Sequence, residues 1–186
     1  ERRTIAMWID VRDGDRDAYE QRVIALQHRL SRATVAAALT LEPGAIDEVA
    51  DGVWLLCEQS SWCWPAHDDA RGRHGSVLPV VDDPHLDLGA GEVVGQLAWI
   101  DHLLGAALDE RYPGLRARVR REAQQRVLAP FLARRDWHWL GLDGHVHNWN
   151  PWIHGNVLTA ALVLVDDDDL REELGPLAAQ GIDRSV

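Results

Sequence analysis

Helical periodicity recurs along nearly the whole chain and limits what this sequence can fold into more than any other feature. Val23, Leu26, Leu30, Ala33 and Ala37 recur at threes and fours, the spacing that lines one face of an α-helix. They predict a helix over residues 19–41, ended by Pro43-Gly44. Ile46, Val49, Val53, Leu56 and Cys57 predict a second over residues 45–59, paired with the first as an antiparallel hairpin. Helix resumes over 86–108 and then over 115–133, where Val119, Ala123, Val127 and Phe131 step by four. A further helix is expected over 151–165. The Asp166 to Asp169 run should break it and cap a short one reaching residue 177, because carboxylates suit a helix start. Strand alternation is nearly absent. The expected fold class is all-α, with five or six helices joined as hairpins, each needing neighbours on both sides, as in a bundle or an arc of a larger ring.

The 186 residues, 46% of them hydrophobic, suffice for one well-cored domain over 1–186 and not for two. A formal charge of −11 argues against nucleic acid or a densely sulfated polymer as partner, since both select basic surfaces. Arginines at 111, 116, 118, 120, 121, 126, 134 and 135 crowd one stretch, which reads most simply as a solvated helix face. Cys57 and Cys63 match neither a disulfide framework nor a zinc-ribbon spacing and read as buried or idle thiols. The chain opens Glu1-Arg2-Arg3 without an initiator methionine, as at a processing boundary, and holds no apolar run of membrane-spanning length. No membrane partner is expected, and the compartment stays open.

Chemistry is expected on two unusual connections, because loops on a rigid helical scaffold carry sites. The first, within residues 60–86, is long for a compact domain. Around it, Gln59, Ser60, Ser61, Trp62, Trp64 and His67 interleave aromatic faces with amides, hydroxyls and an imidazole. That mixture suits a sugar, whose C–H face stacks on indole while its hydroxyls meet polar groups. Equally, Trp62 and Trp64 can plug the end of the helical core.

The second connection is His145-Val146-His147-Asn148-Trp149-Asn150-Pro151-Trp152-Ile153-His154-Gly155-Asn156. Asn150 is a good N-cap before Pro151, so the free N–H groups of the helix would sit beside Asn148 and Asn150 and suit a uronate carboxylate. His154 follows Asn150 by four residues, on the same face one turn deeper, where it could exchange a proton near neutral pH. Trp149, Trp152 and Asn156 complete the candidate glycan contacts. His138, His145, His147 and His154 raise zinc as an alternative, but no HExxH pair is present. The aspartate run lacks EF-hand spacing. No phosphate-binding glycine loop or GxSxG elbow occurs, and no metal or other cofactor is expected.

Taken in order, several segments resemble heparinase II/III-like polysaccharide lyases over residues 46–164. They are Leu55-Leu56-Cys57-Glu58, Trp62-Cys63-Trp64-Pro65-Ala66-His67, Asp87 within a small-residue helix, Arg120-Arg121-Glu122 through Arg126-Val127-Leu128-Ala129-Pro130, and Asn148-Trp149-Asn150. The resemblance implies part of an (α/α) toroid, normally followed by a β-sandwich that this chain does not reach. It also implies β-elimination on a uronate-containing glycan. Asn148 or Asn150 would neutralise the carboxylate, which lowers the barrier to removing the C5 proton, and His154 would assist as acid or base. The tyrosine and further histidine such lyases use are expected beyond Val186, so this stretch alone is expected to be inactive, with cut helix faces prone to self-association. Two rival readings stand beside it. One is a toroid glycoside hydrolase using Glu58 with Asp68 or Asp143 at about 5 to 10 Å; the other is a noncatalytic glycan-binding or scaffold module.

Overall fold

The computed structural model describes residues 17–185, and among them every regular element is helical. The elements are α1 (Asp17–Thr40), α2 (Pro43–Cys57), α3 (Ala70–His74), α4 (Leu88–Arg111), α5 (Leu115–Ala123), a π-helical turn (Gln124–Leu128), α6 (Ala129–Ala133), a 3-10 turn (His138–Leu140), α7 (Trp149–Leu164) and α8 (Asp168–Asp183). No described helix is long and apolar enough to cross a membrane.

α1 and α2 form the expected hairpin. Leu41 ends α1 in the left-handed region (φ 53°), with its N–H on the Ala37 carbonyl at 2.8 Å. Pro43 then opens α2, where its missing N–H costs nothing. α4 starts two residues later than expected, because Asp87 caps it by accepting the Ala90 N–H at 3.0 Å. The connection over 60–86 holds the short helix α3, which sequence periodicity could not signal in five residues.

α4 is the central element and packs chiefly against α7. Gly91 of α4 faces Ile153, and Gly95 is so close to the Asn156 amide that no Cβ would fit. Further along, Asp101 and Gly105 lie beside Leu162 and Val163. α4 and α7 therefore run in the same direction, with the small residues of α4 permitting the close approach. α8 packs on the other side of α7 and is longer than expected. Leu174, Ala178 and Gly181 are buried there, and this burial carries the helix through Gly175 and Pro176. As expected, the aspartate run separates the two helices, with Asp167 capping α8 through the Leu170 N–H at 3.0 Å.

The arginine stretch departs from a solvated face. Arg116 grips buried Asp101 of α4 in a bidentate pair (2.6 and 2.8 Å), and Arg120 reaches the same carboxylate. Arg118 and Arg126 both bond buried Glu122 (2.7 Å each) and extend to the Cys57 carbonyl at 3.0 and 3.2 Å. They thereby occupy a carbonyl at the C-terminus of α2, which the helix itself leaves unpaired. Only part of the run, such as Arg121, stays in solvent.

Candidate functional site

The two connections meet at the start of α7. Asp87, fully buried, accepts the Trp64 N–H at 3.1 Å and lies 2.7 Å from His67 Nδ1. The first connection is thus tied to the cap of α4. The His67 ring stacks on Trp64 (centroids 5.6 Å, 21° apart) and lies 4.3 Å from the ring of Trp149. Trp64 itself leans on Gly89 of α4, where a Cβ would collide with the indole. From the second connection, His138 and His147 pack on Trp149 at 5.1 and 5.0 Å and on each other at 5.2 Å. His138 is held below the usual histidine range, first by desolvation and then by its imidazole neighbours His147, His85 and His67.

α7 begins earlier than its Asn-Pro pair suggested. The Trp149 N–H donates to His147 Nδ1 at 3.3 Å and the Asn150 N–H to the His147 carbonyl at 2.9 Å, so the helix starts at Trp149. Asn148 takes the N-cap position without a side-chain cap bond and is exposed. Asn150 is not the cap.

One helix face separates the candidates. At about 100° per residue, Trp149, Trp152 and Asn156 fall on one side of α7, and Asn150 and His154 on another. The first set forms a surface stripe beside α4. Trp152 is more than half exposed and lies beside Glu92, favouring its charged form, while Asn156 bonds the Trp152 carbonyl at 3.0 Å. Desolvation holds the Glu92 carboxyl above its usual range.

The second set is interior. Asn150, wholly buried, donates to the Leu140 carbonyl at 2.9 Å and accepts from the Ser185 hydroxyl at 3.0 Å. His154, also wholly buried, donates from Nδ1 to the Asn150 carbonyl at 2.8 Å and wedges edge-on between Phe131 and Trp139. Its Nε2 has no partner among the described residues, and Gly181 of α8 lies against the ring. Burial drives its pKa down. Neither side chain reaches solvent, so neither shares the surface on which Trp64, His67 and Trp149 meet.

The remaining candidates lie deeper in the first connection. Trp62 is buried, bonds the Leu56 carbonyl at 2.8 Å and carries the Arg126 guanidinium over its ring at 5.0 Å, which is the core-plug arrangement. The Gln59 carbonyl accepts from Arg126, and its amide nitrogen is buried without a partner among the described residues. Trp62 lines a small cleft with Ser61, His85, Glu122, Gln125 and Arg126.

The carboxylates of the hydrolase reading are occupied locally. Glu58 pairs with Arg118 at 3.1 Å, Asp68 accepts the Ala70 N–H at 2.7 Å and Asp143 the His145 N–H at 3.0 Å. Among the described residues no three histidine, cysteine or acidic side chains converge as a metal site. Burial raises both thiols, Cys57 to about 11. Tyr19 is buried and Tyr112 donates to Asp47 of α2.

Sequence reasoning missed the anchoring role of Asp87, the approach of His138 to Trp149 and the contact of Glu92 with Trp152. The first had a signal, an aspartate just before a run of small residues, which is an N-cap pattern. No protein-family model matches this chain, and no curated protein is significantly similar to it.

Proposed function

We propose that this chain binds a uronate-containing glycan along the Trp64, His67, Trp149, Trp152 stripe, as part of a polysaccharide lyase of the heparinase II/III-like kind. The observation that carries the reading is the 4.3 Å contact of His67 with Trp149, which joins both singled-out connections into one aromatic and polar surface. Indole faces stack on sugar C–H groups while imidazoles and Asn148 supply hydrogen bonds. Asn148, exposed at the head of α7, is the asparagine available to a carboxylate. The toroid reading belongs to the same proposal. α1/α2, α4/α5 and α7/α8 form successive pairs, and parallel α4 and α7 suit neighbouring helices of one layer in such a ring.

A noncatalytic glycan-binding role is favoured by a different observation, the burial of Asn150 and His154. One experiment separates the two: uronate oligosaccharides are titrated calorimetrically, and the same mixtures are followed for ultraviolet absorbance of unsaturated product. Binding with product supports the lyase. Binding without product, in this chain and in one extended past Val186, supports the noncatalytic module. Absence of binding overturns both.

A further inference from the structure

The surface cluster contains two imidazoles whose inner nitrogens meet opposite partners. His67 Nδ1 lies 2.7 Å from Asp87 Oδ2, and the Asp87 oxygens already accept the Ala90 and Trp64 N–H groups. A carboxylate accepts and does not donate, so His67 donates from Nδ1, and in the neutral ring Nε2 carries the lone pair. His147 is the reverse. Its Nδ1 accepts the Trp149 N–H at 3.3 Å, so in the neutral ring the proton sits on Nε2. Neither Nε2 has a hydrogen-bond partner among the described residues, and both residues are partly exposed, with the His67 side chain at 14%. Both rings lie against Trp149, at 4.3 and 5.0 Å.

We infer that His67 and His147 form a matched acceptor and donor pair for one sugar residue held against Trp149, an inference that rests on the glycan-binding reading above. His67 Nε2 accepts a hydrogen bond from a ring hydroxyl, and the His147 Nε2–H donates to a carboxylate oxygen. The pair selects a uronate over a neutral hexose, because only the uronate offers a charged acceptor to His147, and charge-assisted hydrogen bonds are about twice as strong as neutral ones. Asp87 acts as a positioning residue, since it fixes which nitrogen of His67 faces the ligand. His138, exposed and 5.2 Å from His147, adds a second imidazole at the donor side.

Nitrogen NMR of the labelled chain, read on the neutral form of each ring, tests the pairing. The expected result is an unprotonated Nε2 on His67 and an unprotonated Nδ1 on His147. A uronate oligosaccharide should shift both Nε2 resonances, whereas its carboxyl-reduced counterpart should shift His67 and leave His147 in place. His147→Gln, whose amide can still accept the Trp149 N–H, should lower uronate affinity several-fold and leave the reduced sugar unaffected. Two rings in the same tautomer overturn the inference. So does binding that leaves the His147 resonance unmoved, and in that case the glycan-binding reading stands. Failure of both oligosaccharides to bind removes that reading and the pairing with it.

Discussion

His67 Nδ1 lies 2.7 Å from Asp87 Oδ2 across 20 residues of sequence, and the same carboxylate caps α4. One buried side chain thereby sets both the start of the central helix and the orientation of the ring that touches Trp149. Asp87→Asn keeps a capping oxygen but offers an amide N–H group where Trp64 or His67 also donates. The expected loss is about 1–3 kcal/mol of stability, the cost of leaving buried donors unpaired. Urea denaturation measures it, and an unchanged midpoint would contradict the role given to Asp87.

His154 titrates inside the fold. Its pKa is held below the usual histidine value of 6.5, chiefly by burial, while the Asn150 carbonyl acts in the opposite direction and loses. The unfolded chain therefore binds a proton more readily, so this residue's contribution to stability is complete above pH 6.5 and is lost as pH falls from there toward the lower folded value. Thermal melts of the native chain and of His154→Leu across that window should differ in slope, with the variant flatter. Parallel slopes would count against a neutral buried imidazole.

Glu122 holds Arg118 and Arg126 at 2.7 Å each while both bond the Cys57 carbonyl. Glu122→Ala leaves the partly buried Arg126 without a carboxylate and Arg118 with Glu58 alone, and should cost about 3 kcal/mol, the lower end of the penalty for breaking a buried pair. The simultaneous change of Glu122, Arg118 and Arg126 to apolar residues should cost less than the sum of the single changes. Equal or greater loss would show that the three do not act together.

Gly181 abuts the His154 ring with no room for a Cβ. Gly181→Ala should push α8 from α7 and destabilise by about 1–3 kcal/mol, as overpacking does. Gly175→Ala, where a Cβ meets nothing within 4 Å, should be neutral or stabilising in the same helix. The ordering of these two variants in a melting experiment checks the packing of the final hairpin.

Much of the architecture was legible because periodicity acts locally. The helices over 19–41 and 45–59 match α1 and α2 closely, since their apolar faces and Pro43-Gly44 are contained in the segment itself. The start of α7 was misplaced because the His147 ring, two residues outside, takes the Trp149 N–H. Spacing correctly put Asn150 and His154 on one face. It could not say which way that face turned, because the Leu140 carbonyl, Phe131, Trp139 and Ser185 that enclose it come from elsewhere in the chain. The π-helical turn at Gln124–Leu128 left no composition signal either.

The most direct test of the central claim is calorimetric titration of a uronate oligosaccharide against the native chain, Trp149→Ala and Trp54→Ala. Trp149 belongs to the cluster and is partly buried, whereas Trp54 is a more exposed indole on α2 beneath Arg118. Loss of the Trp149 ring should weaken binding about tenfold, the scale of one aromatic stacking contact, with Trp54→Ala unchanged. Equal affinity for all three proteins, with binding present, would contradict the placement of the glycan on this surface.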